Sequence, residues 1–175
     1  MSESTTAGAQ VTTLPLTVNV QYIKDLSFEV PGGPQIFTQL RTPPQVAITM
    51  DVQARRLQEG QPVFEVALLV RAEANLPAAG NGQETAQAKQ PIFIAELTYA
   101  GIFTLGNLPE TAIEPVLLVE CPRLLFPFAR NIVSDITRDG GFPPVMLAPV
   151  DFVALWQSRR AQSASGPVTP TPSVV

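Results

Sequence analysis

Apolar and polar side chains alternate along residues 18–30, with Val18, Val20, Tyr22, Lys24, Leu26, Phe28 and Val30 set against Asn19, Gln21, Ile23, Asp25, Ser27 and Glu29. A strand sends successive side chains to opposite faces, so this run predicts a strand with one apolar and one polar face. Three further runs keep the same period. The second sets Val46, Ile48, Met50 and Val52 against Gln45, Thr49, Asp51, Gln53 and Arg55. The third sets Phe64, Val66, Leu68 and Val70 against Glu65, Arg71 and Glu73. The fourth sets Phe93, Ala95, Leu97 and Tyr99 against Ile92, Ile94, Glu96 and Thr98. One-sided alternation of this kind predicts an antiparallel sheet with one face covered.

The period then changes. The stretch "PETAIEPVLLVE" reads as a short helix interrupted at Pro115. "CPRLLFPFARNIVSDITRDGG" is the strongest helical segment. Pro122 suits its first turn, Gly140 and Gly141 suit its C-terminal stop, and Pro127 should bend it. Leu125, Phe128, Ile132 and Ile136 fall on one face, widened by Leu124, Ala129 and Val133. "FPPVMLAPV" reads as extended. A last helix follows, with Asp151 near its N-cap and Phe152, Leu155 and Trp156 on adjoining turns.

The links between these elements differ. "LQEGQP" predicts a tight hairpin turn, and residues 77–91 a long polar loop. "PGGPQIFTQLRTPP" is apolar for a loop, and its Ile36, Phe37 and Leu40 must either tuck inward or wait for a ligand. Residues 1–13 and 161–175 read as disordered tails around one domain at 14–160.

Composition narrows the function. Charged residues make up only 15% of the 175 positions and hydrophobic ones 45%, which leaves apolar surface for partners. A net charge of -4 with two lysines, Lys24 and Lys89, argues against nucleic acid or an anionic membrane as partner. The single cysteine excludes an internal disulfide and fits a reducing compartment. Neither a signal peptide nor a membrane span is legible, so a soluble cytoplasmic protein is expected. There is no histidine, and no phosphate-binding loop or metal-ligand cluster, so no enzyme, cofactor or metal is expected. Cys121 begins a helix, but without a histidine beside it a buried structural thiol is expected.

Four stretches occur in a telling order: "YIKDLSFEVPGGP", "AGIFTL", "CPRLLFPFAR" and "GGFPPVMLAPVDFVAL". Together they resemble the SecB protein-export chaperone family over roughly residues 18–158. The resemblance implies an α+β fold, a four-stranded antiparallel sheet with helices on one face, assembled as a homotetramer built as a dimer of dimers. It implies an ATP-independent holdase that binds unfolded precursor proteins and delivers them to SecA.

By motif position, the resemblance implies SecA docking at Asp25, Ser27, Glu29, Ile94 and Glu96. An acidic face of this kind suits a basic partner. For an unfolded-client groove the apolar candidates are Phe37, Leu40, Met146, Leu147, Phe152, Leu155 and Trp156. Leu125, Phe128, Ile132 and Ile136 are candidates for the oligomer interface, because one sheet is too small to bury every apolar position. Two other readings share these residues: a chaperone of the same fold serving a non-export client such as an antitoxin, and a non-catalytic oligomeric scaffold. The resemblance has departures as well. The C-terminal tail is neutral where many family members end in acidic residues, and the 77–91 loop is longer than usual.

Overall fold

The computed structural model describes residues 15–40, 43–75 and 91–164. The predicted tail at 1–13, residues 165–175 of the tail predicted at 161–175, and all but the last residue of the 77–91 loop lie outside them. Four strands, β1 (Leu16–Glu29), β2 (Gln45–Arg56), β3 (Val63–Asn75) and β4 (Phe93–Leu105), form one antiparallel sheet in the order β1-β4-β3-β2. The three predicted inner faces of β2, β3 and β4 all point to one side. Val52, Val70 and Leu97 lie there with Phe64, Leu68 and Phe103 in one continuous core.

The first strand departs from simple alternation. Its pairing with β4 slips by one residue between Val18 and Val20, and again between Ile23 and Asp25. Each slip is a β-bulge, which adds one residue to the strand and reverses the side on which the next residues emerge. Val20 and Tyr22, expected on the apolar face, therefore point outward with Ile102 and Ala100. Gln21 and Ile23 point inward opposite Gly101 and Tyr99. The second slip restores the original phase, so Leu26 and Phe28 face inward and Asp25, Ser27 and Glu29 face outward.

Three helical segments run without a break from Glu110 to Asp139: α2 (Glu110–Pro115), a π-helical turn (Val116–Glu120) and α3 (Cys121–Asp139). The predicted interruption at Pro115 is thus a change of pitch. Cys121 N–H reaches back five residues to the Val116 carbonyl. The wider turn accommodates Pro122, whose ring would crowd a normal α-turn and which has no N–H to donate. Gly141 ends α3 with φ +88°, Phe142 N–H bonds the Thr137 carbonyl and Gly141 N–H that of Arg138. That is the glycine stop expected from the sequence.

The face of α3 carrying Cys121, Leu125, Ala129 and Val133 packs on the inner side of the sheet. An extended stretch at 143–150 leads to α4 (Phe152–Ala164). The Asp151 carboxylate caps α4 by accepting N–H groups of Val153 (3.0 Å) and Ala154 (3.1 Å). The helix continues through residues 161–164, which the sequence assigned to the tail.

The apolar loop after β1 is not open chain. It contains a five-residue helix, α1 (Gln35–Gln39), that buries Ile36 in a second core with Ala74, Ile92, Phe93 and Phe142. Phenylalanine rings fill this core: Phe28 stacks on Phe93 at 5.5 Å and Phe142 lies 4.8 Å from Phe93.

Candidate functional site

The outer sheet face is a grid of cross-strand rows. Asp51, Leu69, Thr98 and Asp25 form one row; Thr49, Arg71, Glu96 and Ser27 the next; Ala47, Glu73, Ile94 and Glu29 the third. All five residues assigned by motif, Asp25, Ser27, Glu29, Ile94 and Glu96, share this face, Ser27 directly opposite Glu96 and Glu29 opposite Ile94. At ordinary strand spacings the three rows cover a patch about 14 Å on a side. Sequence reading placed Asp51, Arg71 and Glu73 on polar faces without joining them to this patch. Their outward phase on β2 and β3 was the available signal.

The upper part of the same face is organised differently. Glu65 is 4% exposed and is held by three donors: Tyr22, Arg55 and Lys24, the last at 2.9 Å. The Arg55 guanidinium does most to pull the Glu65 carboxyl down to about 2, against desolvation, with Tyr22 and Lys24 adding to it. This cluster buries its one carboxylate under two cations, Lys24 and Arg55, so it offers no acidic group to a basic ligand.

On the helix side, two apolar grooves share the inner wall of β2. One, about 280 Å³, is lined by Pro43, Val46, Ile48, Phe93, Val145 and Met146. The other, about 410 Å³, is lined by Val52, Glu114, Leu118, Leu155, Trp156 and Arg159 with Arg160. Met146 is 61% exposed at the first; Phe37 does not line it, and is exposed where it stacks on Phe142 at 5.1 Å. Leu40 packs against the second core. Trp156 donates its indole N–H to Glu114 at 3.0 Å, which fixes the ring at the second groove.

Leu147 and Phe152 do not line either groove. They are 1% and 2% exposed, and belong to the main core. The capped start of α4 drives Phe152 inward, where it meets Phe126 edge-on at 5.9 Å.

The free edge of β2 joins the two grooves. Leu57 N–H donates to the Val63 carbonyl, which fixes the hydrogen-bonding phase of the β2–β3 pair. Odd residues of β2 bond β3, and Val46, Ile48, Met50, Val52 and Ala54 turn their backbone groups to the edge. The Val52 carbonyl is already taken, by Arg159 at 2.6 Å, and Arg159 also pairs with Asp51.

The proposed interface stripe on α3 divides. Leu125 is fully buried over Gly101, so it is core and not interface. Ile132 and Ile136 are half-buried, Ile132 packing on the main core. Phe128 is 49% exposed above Tyr99, and Leu124 beside it is exposed too. Val18, Ile23 and Leu26, all on the inner side of β1, are likewise exposed. Sequence reading placed Val18 and Leu26 on the apolar face and missed Ile23, whose inward turn depends on the bulges.

Cys121 is buried and free, and burial pushes its thiol up to about 12, so it is not a nucleophile near neutral pH. Among the described residues no helix is long and apolar enough to cross a membrane, and no group of acidic or cysteine side chains is arranged to hold a metal ion.

Comparison with known proteins shows the family. Residues 9–163 match the family described as "Preprotein translocase subunit SecB". The chain is 59% identical over 172 residues to "Protein-export protein SecB 1" of Gluconobacter oxydans, covering 95% of this chain and 98% of that one. It is 65% identical over 151 residues to "Protein-export protein SecB" of Acidiphilium cryptum, covering 85% and 90%. Among solved structures, the Mycobacterium tuberculosis Rv1957 SecB-like chaperone, in complex with a peptide from the HigA1 antitoxin, shares the fold with a TM-score of 0.57 at 14% identity, covering 78% of this chain and 91% of that chain. The chain belongs to the SecB family of protein-export chaperones.

Proposed function

We propose that this chain is an ATP-independent cytoplasmic holdase that binds unfolded precursors of exported proteins on the helix side of its sheet and presents them to SecA with the other side. One observation carries this reading: the apolar grooves and the acidic rows lie on opposite faces of one sheet. A client and a basic docking partner can therefore be held together without competing.

Client binding draws on Phe37, Leu40, Met146, Leu155 and Trp156, and on the open half of the β2 edge at Val46, Ile48 and Met50. Main-chain groups there can pair with any extended polypeptide, while the grooves take its apolar side chains. A site built in this way selects unfolded chain over folded protein with little regard to sequence. SecA docking draws on Asp25, Ser27, Glu29, Ile94 and Glu96.

Assembly as a dimer of dimers is supported by the uncovered apolar strip of Val18, Ile23, Leu26, Leu124 and Phe128. An uncovered apolar strip of this kind is the sort of surface that protein–protein contacts use. Four copies would then hold one long client through several weak contacts. The antitoxin peptide on the M. tuberculosis chaperone raises a second client class. The 59% and 65% identities to export proteins favour precursors.

Native mass spectrometry with and without a chemically unfolded precursor tests this. The expected result is a tetramer that gains one precursor and loses it when the precursor folds. A monomer that ignores the precursor would overturn it.

A further inference from the structure

The three acidic rows carry five carboxylates, Asp25, Glu29, Asp51, Glu73 and Glu96, and a single cation, Arg71, in their midst. Arg71 stands directly between Thr49 and Glu96 in the central row. One arm of its guanidinium holds the Glu96 carboxylate and the other donates to Glu73 at 2.9 Å. None of the three is shut away: side-chain exposure is 43% for Arg71 against 36% for Glu73 and 47% for Glu96.

The neighbouring cations do not reach Glu73 or Glu96. Lys24 and Arg55 are bound to Glu65, and Arg159 reaches Asp51 from α4 at the sheet edge. Arg71 is therefore the built-in counterion of Glu73 and Glu96, in the middle of the patch. An exposed ion pair is weak and exchangeable, so an incoming cation of comparable geometry can take its place. A guanidinium that grips two carboxylates at once is harder to displace than a lone ammonium.

We infer that Arg71 is an internal competitor for the docking partner: it occupies Glu96 and Glu73 in the free protein, and a basic partner surface binds by displacing it. This rests on the assignment of the acidic rows as the SecA-docking face. On that basis Arg71 sets a threshold. Scattered single lysines on irrelevant proteins do not dislodge it, while a surface presenting several cations together does.

The test is a set of titrations of purified SecA with the full chain and its Arg71→Gln, Arg71→Lys, Glu96→Gln and Arg71→Gln/Glu96→Gln variants, at low and high salt. Arg71→Gln should bind about three- to tenfold tighter at low salt, with a salt dependence steeper by about one charge. Arg71→Lys, which keeps the charge without the fork, should fall between Arg71→Gln and the parent. Glu96→Gln should weaken binding, and the double variant should show a smaller gain from losing Arg71 than the single one does.

Weaker binding by Arg71→Gln, with Glu96→Gln also weak, would make Arg71 a direct contact; that overturns the competitor and leaves the docking face standing. Unchanged binding by Glu96→Gln would overturn the docking face itself, and the competitor with it. Thermal unfolding of each variant separates a loss of fold from either result.

Discussion

Tyr22 of β1 donates its phenol hydrogen to Glu65 of β3 across the width of β4, on the face that no helix covers. The contact exists because a bulge near Asn19 reverses the strand and turns Tyr22 outward. It lands opposite Ala100, whose small side chain lets the ring lie across the sheet. Lys24, at the second slip, reaches the same carboxylate. The two irregularities of β1 thus converge on one buried acid.

That convergence predicts acid sensitivity. The Glu65 carboxyl is held below its ordinary value, mainly by Arg55, so the stabilisation is present above about pH 4.5 and is lost as pH falls through about 2. Glu65→Gln should cost on the order of 1–3 kcal/mol at pH 7, since it leaves the three donors facing an uncharged group. Urea unfolding at a series of pH values measures both. The variant should also lose less of its stability between pH 4.5 and 2 than the parent does. An equal slope in the two proteins would show that other carboxylates cause the acid loss.

Thr137 joins α3 to the extended segment behind it. Its hydroxyl is fully buried, donates toward the Val133 carbonyl at 2.9 Å and accepts Val145 N–H at 3.0 Å. Thr137→Val keeps the shape and strands the Val145 amide, which should cost about 1–3 kcal/mol. The loss should also release the stretch bearing Met146. Amide exchange at Val145–Leu147 should quicken beyond what the global loss explains, and unaltered local protection would contradict the role given to Thr137.

Phe128 tests assembly separately from folding. Its ring rests on Tyr99 but remains half open, in line with Leu124 and the inner side of β1. Phe128→Asp should leave the circular dichroism of the chain intact and shift its native mass to a smaller species. Leu125→Asp, one turn inward, should unfold the chain, because Leu125 has no exposure to lose. If Phe128→Asp kept the full oligomer, the uncovered strip would need another explanation.

The period of the chain made the sheet, its covered face and the helical stop at Gly141 legible, because each depends on local spacing. The phase of β1 was not, since a bulge leaves alternation intact in the sequence and changes only its pairing with β4. The burial of Phe152 and Leu125 escaped for a related reason: a helical stripe says which residues share a face, not which of them lie at its centre, and Leu147 sits in an extended stretch where no helical period marks the inner side. Arg71 was read as polar and outward, which is correct. Its place between Glu73 and Glu96 needed the register of three strands.

Asp25 and Glu29 give a test of the proposed docking apart from client binding. Both are exposed on the face opposite the grooves, at two of the corners of the acidic rows. Exposed charges of this kind act through long-range attraction more than through tight contacts, so their loss slows association and flattens the response to salt. Asp25→Ala with Glu29→Ala should weaken SecA binding about five- to thirtyfold at low salt, and much less at high salt. Binding of an unfolded precursor should stay within about twofold of the parent, since neither residue reaches the β2 grooves. Stopped-flow association with each partner measures the two effects on one preparation. Parallel losses for precursor and SecA would mean that the two faces do not act independently, and the division of labour across the sheet would have to be abandoned.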